Sequence, residues 1–158
     1  MPDLADVSVE INLRITPRQL FDFYLKNNIC EAGYSEEIAA RPLSRSSLIV
    51  AAMVGDEIVA IARAMFDGLA AEVMEFCVAL EWQGTDLEHG NGSLIEKDDF
   101  GVGKRVGEAL LAELERMGAF FVSVSCLQDV EEGFYSGLAL RHNPHSLEYI
   151  LDRRPYVQ

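Results

Sequence analysis

The sequence predicts an α/β protein: a mixed, mostly antiparallel sheet with a central pair of parallel strands, flanked by helices. Three observations carry this. Apolar and polar residues alternate near the N-terminus with the two-residue period of a half-buried strand. Three apolar runs then follow one another between Leu48 and Leu80, joined by tight turns, which is the pattern of an antiparallel meander. Finally an amphipathic helix is followed at once by the apolar run "AFFVSVSC", a strand–helix–strand order that sets two strands parallel.

Each element has its own local signal. From Val7 to Ile15 the residues Val7, Val9, Ile11, Leu13 and Ile15 alternate with Ser8, Glu10, Asn12 and Arg14, giving the first strand. Thr16-Pro17-Arg18-Gln19 then starts a helix, with Thr16 as cap, Pro17 at the first helical position and Gln19 where a capping-box partner belongs. Leu20, Phe21, Tyr24 and Leu25 form its apolar side. Ser35-Glu36-Glu37 opens a shorter helix through Ile38 and Ala39, which Pro42 is expected to end. The meander has its turns at Gly55-Asp56-Glu57 and Asp67-Gly68. Glu81 to Phe100, "EWQGTDLEHGNGSLIEKDDF", has no period and reads as a long loop, of a length typical of lids and mobile functional segments. Val106, Leu110, Leu114 and Met117 trace the stripe of the next helix, which Gly118 ends. After "AFFVSVSC" a last helix is expected from Val130 to Leu140, and "SLEYILD" from Ser146 as a closing strand.

The length of 158 residues fits one domain over 1–158, without internal repeats or low-complexity linkers. No apolar run approaches the roughly 18 residues of a membrane helix, and the N-terminus lacks the pattern of a secretory signal. The odd number of cysteines, Cys30, Cys77 and Cys126, reads as free buried thiols in a reducing compartment, so a cytoplasmic location is expected. A formal charge of −13 disfavours nucleic acid and anionic membrane as partners and favours cationic small molecules or basic peptides.

Gly101-Val102-Gly103 opens a helix, where an anion can approach backbone N–H groups. A P-loop is excluded, because Arg105 follows Gly103-Lys104 and Asp98 stands where its first glycine belongs. A dinucleotide fingerprint fits poorly: the spacing is Gly101-x-Gly103-x-x-x-Gly107 and "IEKDD" precedes it instead of a buried strand, although Asp129 ends the next strand where a ribose-binding acid would sit. The glycines can also serve only a tight helix entry.

The segment "GVGKRVGEALLAELERMGAFFVSV" resembles the pyrophosphate-binding helix and following strand of the GNAT superfamily of N-acetyltransferases, and "FYSGLAL" is similar to that family's Phe-Tyr-x-x-x-Gly-Phe segment. By order of elements the resemblance runs from Val7 to Val157. It departs from the family at Asp98, where a Gln or Arg is usual, and at Ala139-Leu140 in place of Gly-Phe. "VALEWQG" looks like the end of the family's fourth strand, which makes Gly84 to Phe100 an insertion.

The resemblance implies acetyl-CoA as cosubstrate, met by Val78 at the end of the fourth strand and by Phe100, Gly101, Val102, Gly103, Lys104 and Arg105 at the helix entry. It also implies Tyr135 as the acid that protonates the departing thiolate, a residue that would otherwise read as a core aromatic. For the base, alternation sets Glu75 among Val73, Cys77 and Ala79, where burial raises a carboxyl pKa; Glu81 is the alternative. His142 and His145 are separated by Pro144 and lack a third ligand, so no metal is expected. Cys77 and Cys126 read as packing. The acceptor is an amine, its cationic character favoured by the acidic surface, and a homodimer through a sheet edge fits the resemblance. A non-catalytic acyl-CoA-binding or protein-interaction domain of the same fold is the other reading.

Overall fold

The alternating N-terminal segment forms β1 (Ser8–Ile11) in the computed structural model, which describes residues 2–154. The strand stops short of Ile15 because Asn12 turns into the left-handed region (φ 53°), where its side chain accepts the Ile49 N–H at 3.0 Å. Thr16 then caps α1 (Pro17–Lys26) through the full reciprocal box with Gln19, an arrangement worth about 1 kcal/mol. Its buried face is Leu20, Phe21, Phe23 and Tyr24.

The second helix, α2 (Glu37–Arg45), runs through Pro42 instead of ending there. The proline ring holds a helical φ, and the last turn is secured by Ser46, whose N–H and hydroxyl both donate to the Pro42 carbonyl at 3.0 and 2.7 Å. The meander forms as expected: β2 (Leu48–Val54), β3 (Glu57–Phe66) and β4 (Ala70–Val78), with Gly55 at φ 58° in the first turn. A single helical turn, α3 (Leu80–Gln83), precedes the aperiodic segment. Then come α4 (Val102–Met117), ended by the left-handed Gly118, β5 (Phe121–Val124) and α5 (Glu132–Ser136).

The five strands lie in sequence order, antiparallel except for the parallel β4–β5 pair. The mixed, mostly antiparallel sheet with a parallel pair is therefore as the sequence predicts, although the parallel pair lies at the edge and not in the centre. Val102, Val106, Leu110 and Leu114 of α4 pack into the core with the apolar residues of β2 and β3.

Two irregularities interrupt the sheet along β4. Arg63 pairs with Glu75 but Ala64 pairs with Val73, so Met74 is an extra residue, a β-bulge in β4. And β5 pairs with β4 only over Ala70–Val73, so that among the described residues no strand pairs with β4 on that side beyond the bulge.

The C-terminal expectations are corrected. The last helix covers only Glu132–Ser136, with Gly133 inside it and Gly137 just past its end, both poor helix formers. "SLEYILD" forms no strand: the adjacent Ile150 and Leu151 break the period of two, and Leu147, Tyr149, Ile150 and Leu151 are each at least 75% exposed. The stretch 155–157 of the family resemblance lies outside the described residues. Among the described residues no helix is long and apolar enough to cross a membrane.

Candidate functional site

Because β4 and β5 part after Val73, a cleft of about 1300 Å³ opens between them. Met74, Glu75, Phe76 and Cys77 line it from β4, Val124 and Ser125 from β5, Tyr135 from α5, and α2 forms a further wall. The bulge at Met74 turns Glu75 onto the face opposite Val73, contrary to simple alternation. There it keeps Cys77 on its own face, as alternation expects, and is paired with Arg63 and Tyr24.

The Glu75 carboxylate accepts from the Tyr24 hydroxyl at 2.6 Å and from Arg63 Nε at 3.3 Å, and the side chains of Arg63 and Glu75 are each only 15% exposed. Burial pushes the Glu75 carboxyl above its ordinary range; Arg63 and the Tyr24 hydroxyl pull it down, but by less. Burial and the neighbouring Glu75 charge push the Tyr24 phenol far up, so it remains a donor.

Tyr135 is buried and packs edge-on against Phe76 (6.1 Å between ring centroids) and Phe134 (5.1 Å). Among the described residues its hydroxyl has no hydrogen-bond partner, yet no sealed side-chain polar atom lacks one, so the hydroxyl opens onto the cleft. Burial and then Glu131 push its phenol upward, so it is fully protonated at neutral pH.

Phe134 links this chemistry to the helix entry. A Cβ on Gly103 would lie 2.8 Å from Phe134 Cε1, and one on Gly107 2.7 Å from Leu138 Cδ1. The two glycines thus form a groove one turn apart that receives Phe134 and Leu138. They serve close packing as well as approach to the helix N-terminus.

At that N-terminus an anion is already supplied by the chain. Asp98 Oδ1 accepts from Gly103 N and Oδ2 from Lys104 N, each at 2.8 Å, and the Gly101 N–H donates to the Asp98 carbonyl at 3.0 Å. Burial raises the Asp98 carboxyl pKa, against these two N–H bonds. Of the four N–H groups at this helix entry, those of Gly101, Val102, Gly103 and Lys104, three are therefore held internally. Val78 is similarly occupied: its N–H donates to Gly92 O at 2.9 Å and its carbonyl accepts from Gln83 Nε2 at 3.0 Å. Of the other expected cofactor residues, Phe100 packs on Trp82, Val102 is fully buried, and Arg105 reaches the Leu4 carbonyl.

The occupying residues Asp98, Gly92 and Gln83 all belong to the segment expected to be an open, mobile loop. Instead it is packed. Ile95 and Gln83 are fully buried, the Ile95 N–H donates to Glu131, and Glu96 accepts from the N–H groups of Glu88, His89 and Gly90. The amides of Gly103 and Lys104 still fit a diphosphate chemically, since they bind two carboxylate oxygens here; Asp98 has to leave first.

Glu81 stands outside the cleft, its side chain 54% exposed and within 3.4 Å of Lys26 Nζ. Cys77 is buried as expected, but Cys126 is exposed beyond the end of β5 and Cys30 half-buried; all three are free. Among the described residues no group of three or more His, Cys, Asp or Glu side chains is arranged for a metal. Sequence reasoning missed Tyr24, Arg63 and the capping role of Asp98. A signal existed for Arg63, the lone charge between Ile58 and Phe66 of an otherwise apolar strand.

No family model matches the chain, and no curated protein matches it significantly. Among solved structures the chain is similar to a candidate acetyltransferase from Deinococcus radiodurans R1, at 24% identity and a TM-score of 0.68, over 97% of this chain and 92% of the other. It is also similar to a GNAT-family acetyltransferase from Streptococcus pneumoniae TIGR4, at 17% and 0.67, over 94% and 99%. A third is glucosamine-6-phosphate N-acetyltransferase from Arabidopsis thaliana, at 15% and 0.62, over 92% and 99%. The fold is that of the GNAT acetyltransferases.

Proposed function

We propose that this chain, having that fold, is an N-acetyltransferase that moves an acetyl group from acetyl-CoA to a primary amine of a small molecule or peptide. The observation that supports it most directly is the cleft at the β4–β5 parting, which Glu75 and Tyr135 both line, with Phe134 between Tyr135 and the N-terminus of α4. Acetyl-CoA supplies the acetyl group as a thioester, its diphosphate held by the amides of Gly103 and Lys104. Glu75, fixed by Tyr24 and Arg63, takes a proton from the acceptor ammonium and frees its lone pair. Tyr135 offers its proton where negative charge develops on the departing sulfur. Phe76 and Phe134 keep water from the reacting atoms. Three free thiols suit a cytoplasmic location.

The test is a thermal-shift series with acetyl-CoA, NAD and ATP, joined to an assay of thiol release across a panel of amines. Acetyl-CoA alone should stabilise, by about 2.7 kcal/mol at a hundred times its Kd, and thiol should appear only with an amine. Neither stabilisation nor thiol release would sink the reading.

The raised Glu75 carboxyl fixes a pH dependence. Only its ionised form accepts a proton, so kcat/KM should fall as pH drops, with the acid limb above the ordinary carboxylate value of about 4.3. In stability the sign is opposite. A carboxyl raised by folding favours the native state at low pH, and that contribution fades as pH rises through the folded value. An acid limb unmoved in Glu75→Gln would remove Glu75 from the role.

Three contacts favour a second reading, a non-catalytic acyl-CoA-binding or protein-interaction domain: Asp98 on Gly103 and on Lys104, and Gly92 on Val78. CoA binding without consumption of acetyl-CoA by any amine would establish it.

A further inference from the structure

The face that α2 turns to the cleft carries Arg41 and Arg45, one turn apart. Neither makes an ion pair among the described residues, although Glu37 stands one turn before Arg41 on the same face. A third guanidinium, that of Arg63, rises from the floor and reaches Ser46 Oγ at 3.5 Å, the residue that follows Arg45. In a chain of net charge −13 this concentration of arginine at one cleft runs against the general surface.

The acidic groups facing the cleft do not all offset it. Glu75 is engaged by Arg63 and Tyr24, and Glu131 by the N–H groups of Ile95 and Leu127. Glu31 and Glu37 remain, both exposed. Guanidinium forks match carboxylate and phosphate oxygens in pairs, which a point charge does not.

Resting on the acetyltransferase reading, we infer that the acceptor is a small amine carrying its own carboxylate or phosphate, with the anionic group read by Arg41 and Arg45 and the amine directed to Glu75. The overall charge favours an amine of cationic character; the cleft adds to that amine an anionic group of its own.

The experiment pairs phosphoethanolamine with ethanolamine and β-alanine with propylamine, measuring binding by calorimetry and, separately, acetyl transfer. The wild-type protein should bind the member that carries a phosphate or carboxylate roughly ten-fold or more tightly than the partner that lacks it. Arg41→Gln/Arg45→Gln, both exposed and so harmless to folding, should erase the preference and leave acetyl-CoA affinity unchanged. Glu37→Gln should strengthen it. Equal binding of amines with and without the anionic group overturns the inference. So does a double variant that loses acetyl-CoA affinity while keeping the amine preference, because the arginines then serve the cofactor. Charge-selective binding in a protein that transfers no acetyl group would refute the acetyltransferase reading and leave the anion site standing.

Discussion

Tyr135→Phe is expected to lower turnover by roughly 10²–10⁴-fold, the usual cost of losing a positioned proton donor. Affinity for acetyl-CoA should stay within a few-fold. The substitution keeps the ring and therefore its edge contacts with Phe76 and Phe134. It breaks no internal hydrogen bond, because the hydroxyl makes none among the described residues, so the melting temperature should hold. The raised phenol remains protonated across the neutral range and stays available to a developing thiolate. Steady-state rates with any amine the wild type accepts decide the matter; full activity would make Tyr135 a packing residue.

Asp98→Gln should tighten acetyl-CoA binding by about a hundred-fold. Two charge-assisted hydrogen bonds, each worth about 1.5–3 kcal/mol, presently hold the Asp98 carboxylate on the amides a diphosphate needs. Glutamine removes that competing anion and its repulsion of the incoming phosphates. The same change should cost the unliganded protein about 1 kcal/mol, because the carboxylate also satisfies two helix-entry N–H groups. Tighter binding together with a lower melting temperature is the expected signature, read by calorimetry and thermal unfolding. An unchanged Kd would mean that the diphosphate binds elsewhere or that Asp98 moves aside at no cost.

Most of the architecture was legible because it rests on local rules. The two-residue period marked β1, apolar runs between tight turns marked β2 to β4, with Gly55 in the first turn, and the stripe of Val106, Leu110 and Leu114 marked α4. The site was legible only in part. That Glu75 is buried followed from its apolar neighbours, but its orientation did not, since neither glycine nor proline marks the bulge at Met74. Its pairing with Tyr24 joins residues 51 apart in sequence, a contact that local patterning cannot contain. Asp98 was legible as chemistry and misread as motif. An acid shortly before a helix is an ordinary partner for the entry N–H groups, whereas comparison with a Gln/Arg pattern registers it only as a defect. The C-terminal strand is absent because apolar composition without alternation, as in the adjacent Ile150 and Leu151, gives a strand no single face to bury.

The groove of Gly103 and Gly107 bears on how the protein loses activity. Tyr135 sits on a helix of only five residues, beyond which, from Arg141 to Arg154, every residue is exposed. What holds that helix in place is the seating of Phe134 and Leu138 against two bare backbone positions, together with the Glu131 clamp on Ile95 and Leu127. The sheet and α4 do not depend on it. Heating is therefore expected to release this segment as a separate, weaker unit, with loss of acetyl-CoA-dependent thiol release preceding the main melting transition. A molecule bound across the cleft opposes that release, so the gap between the two temperatures measures occupancy of the site.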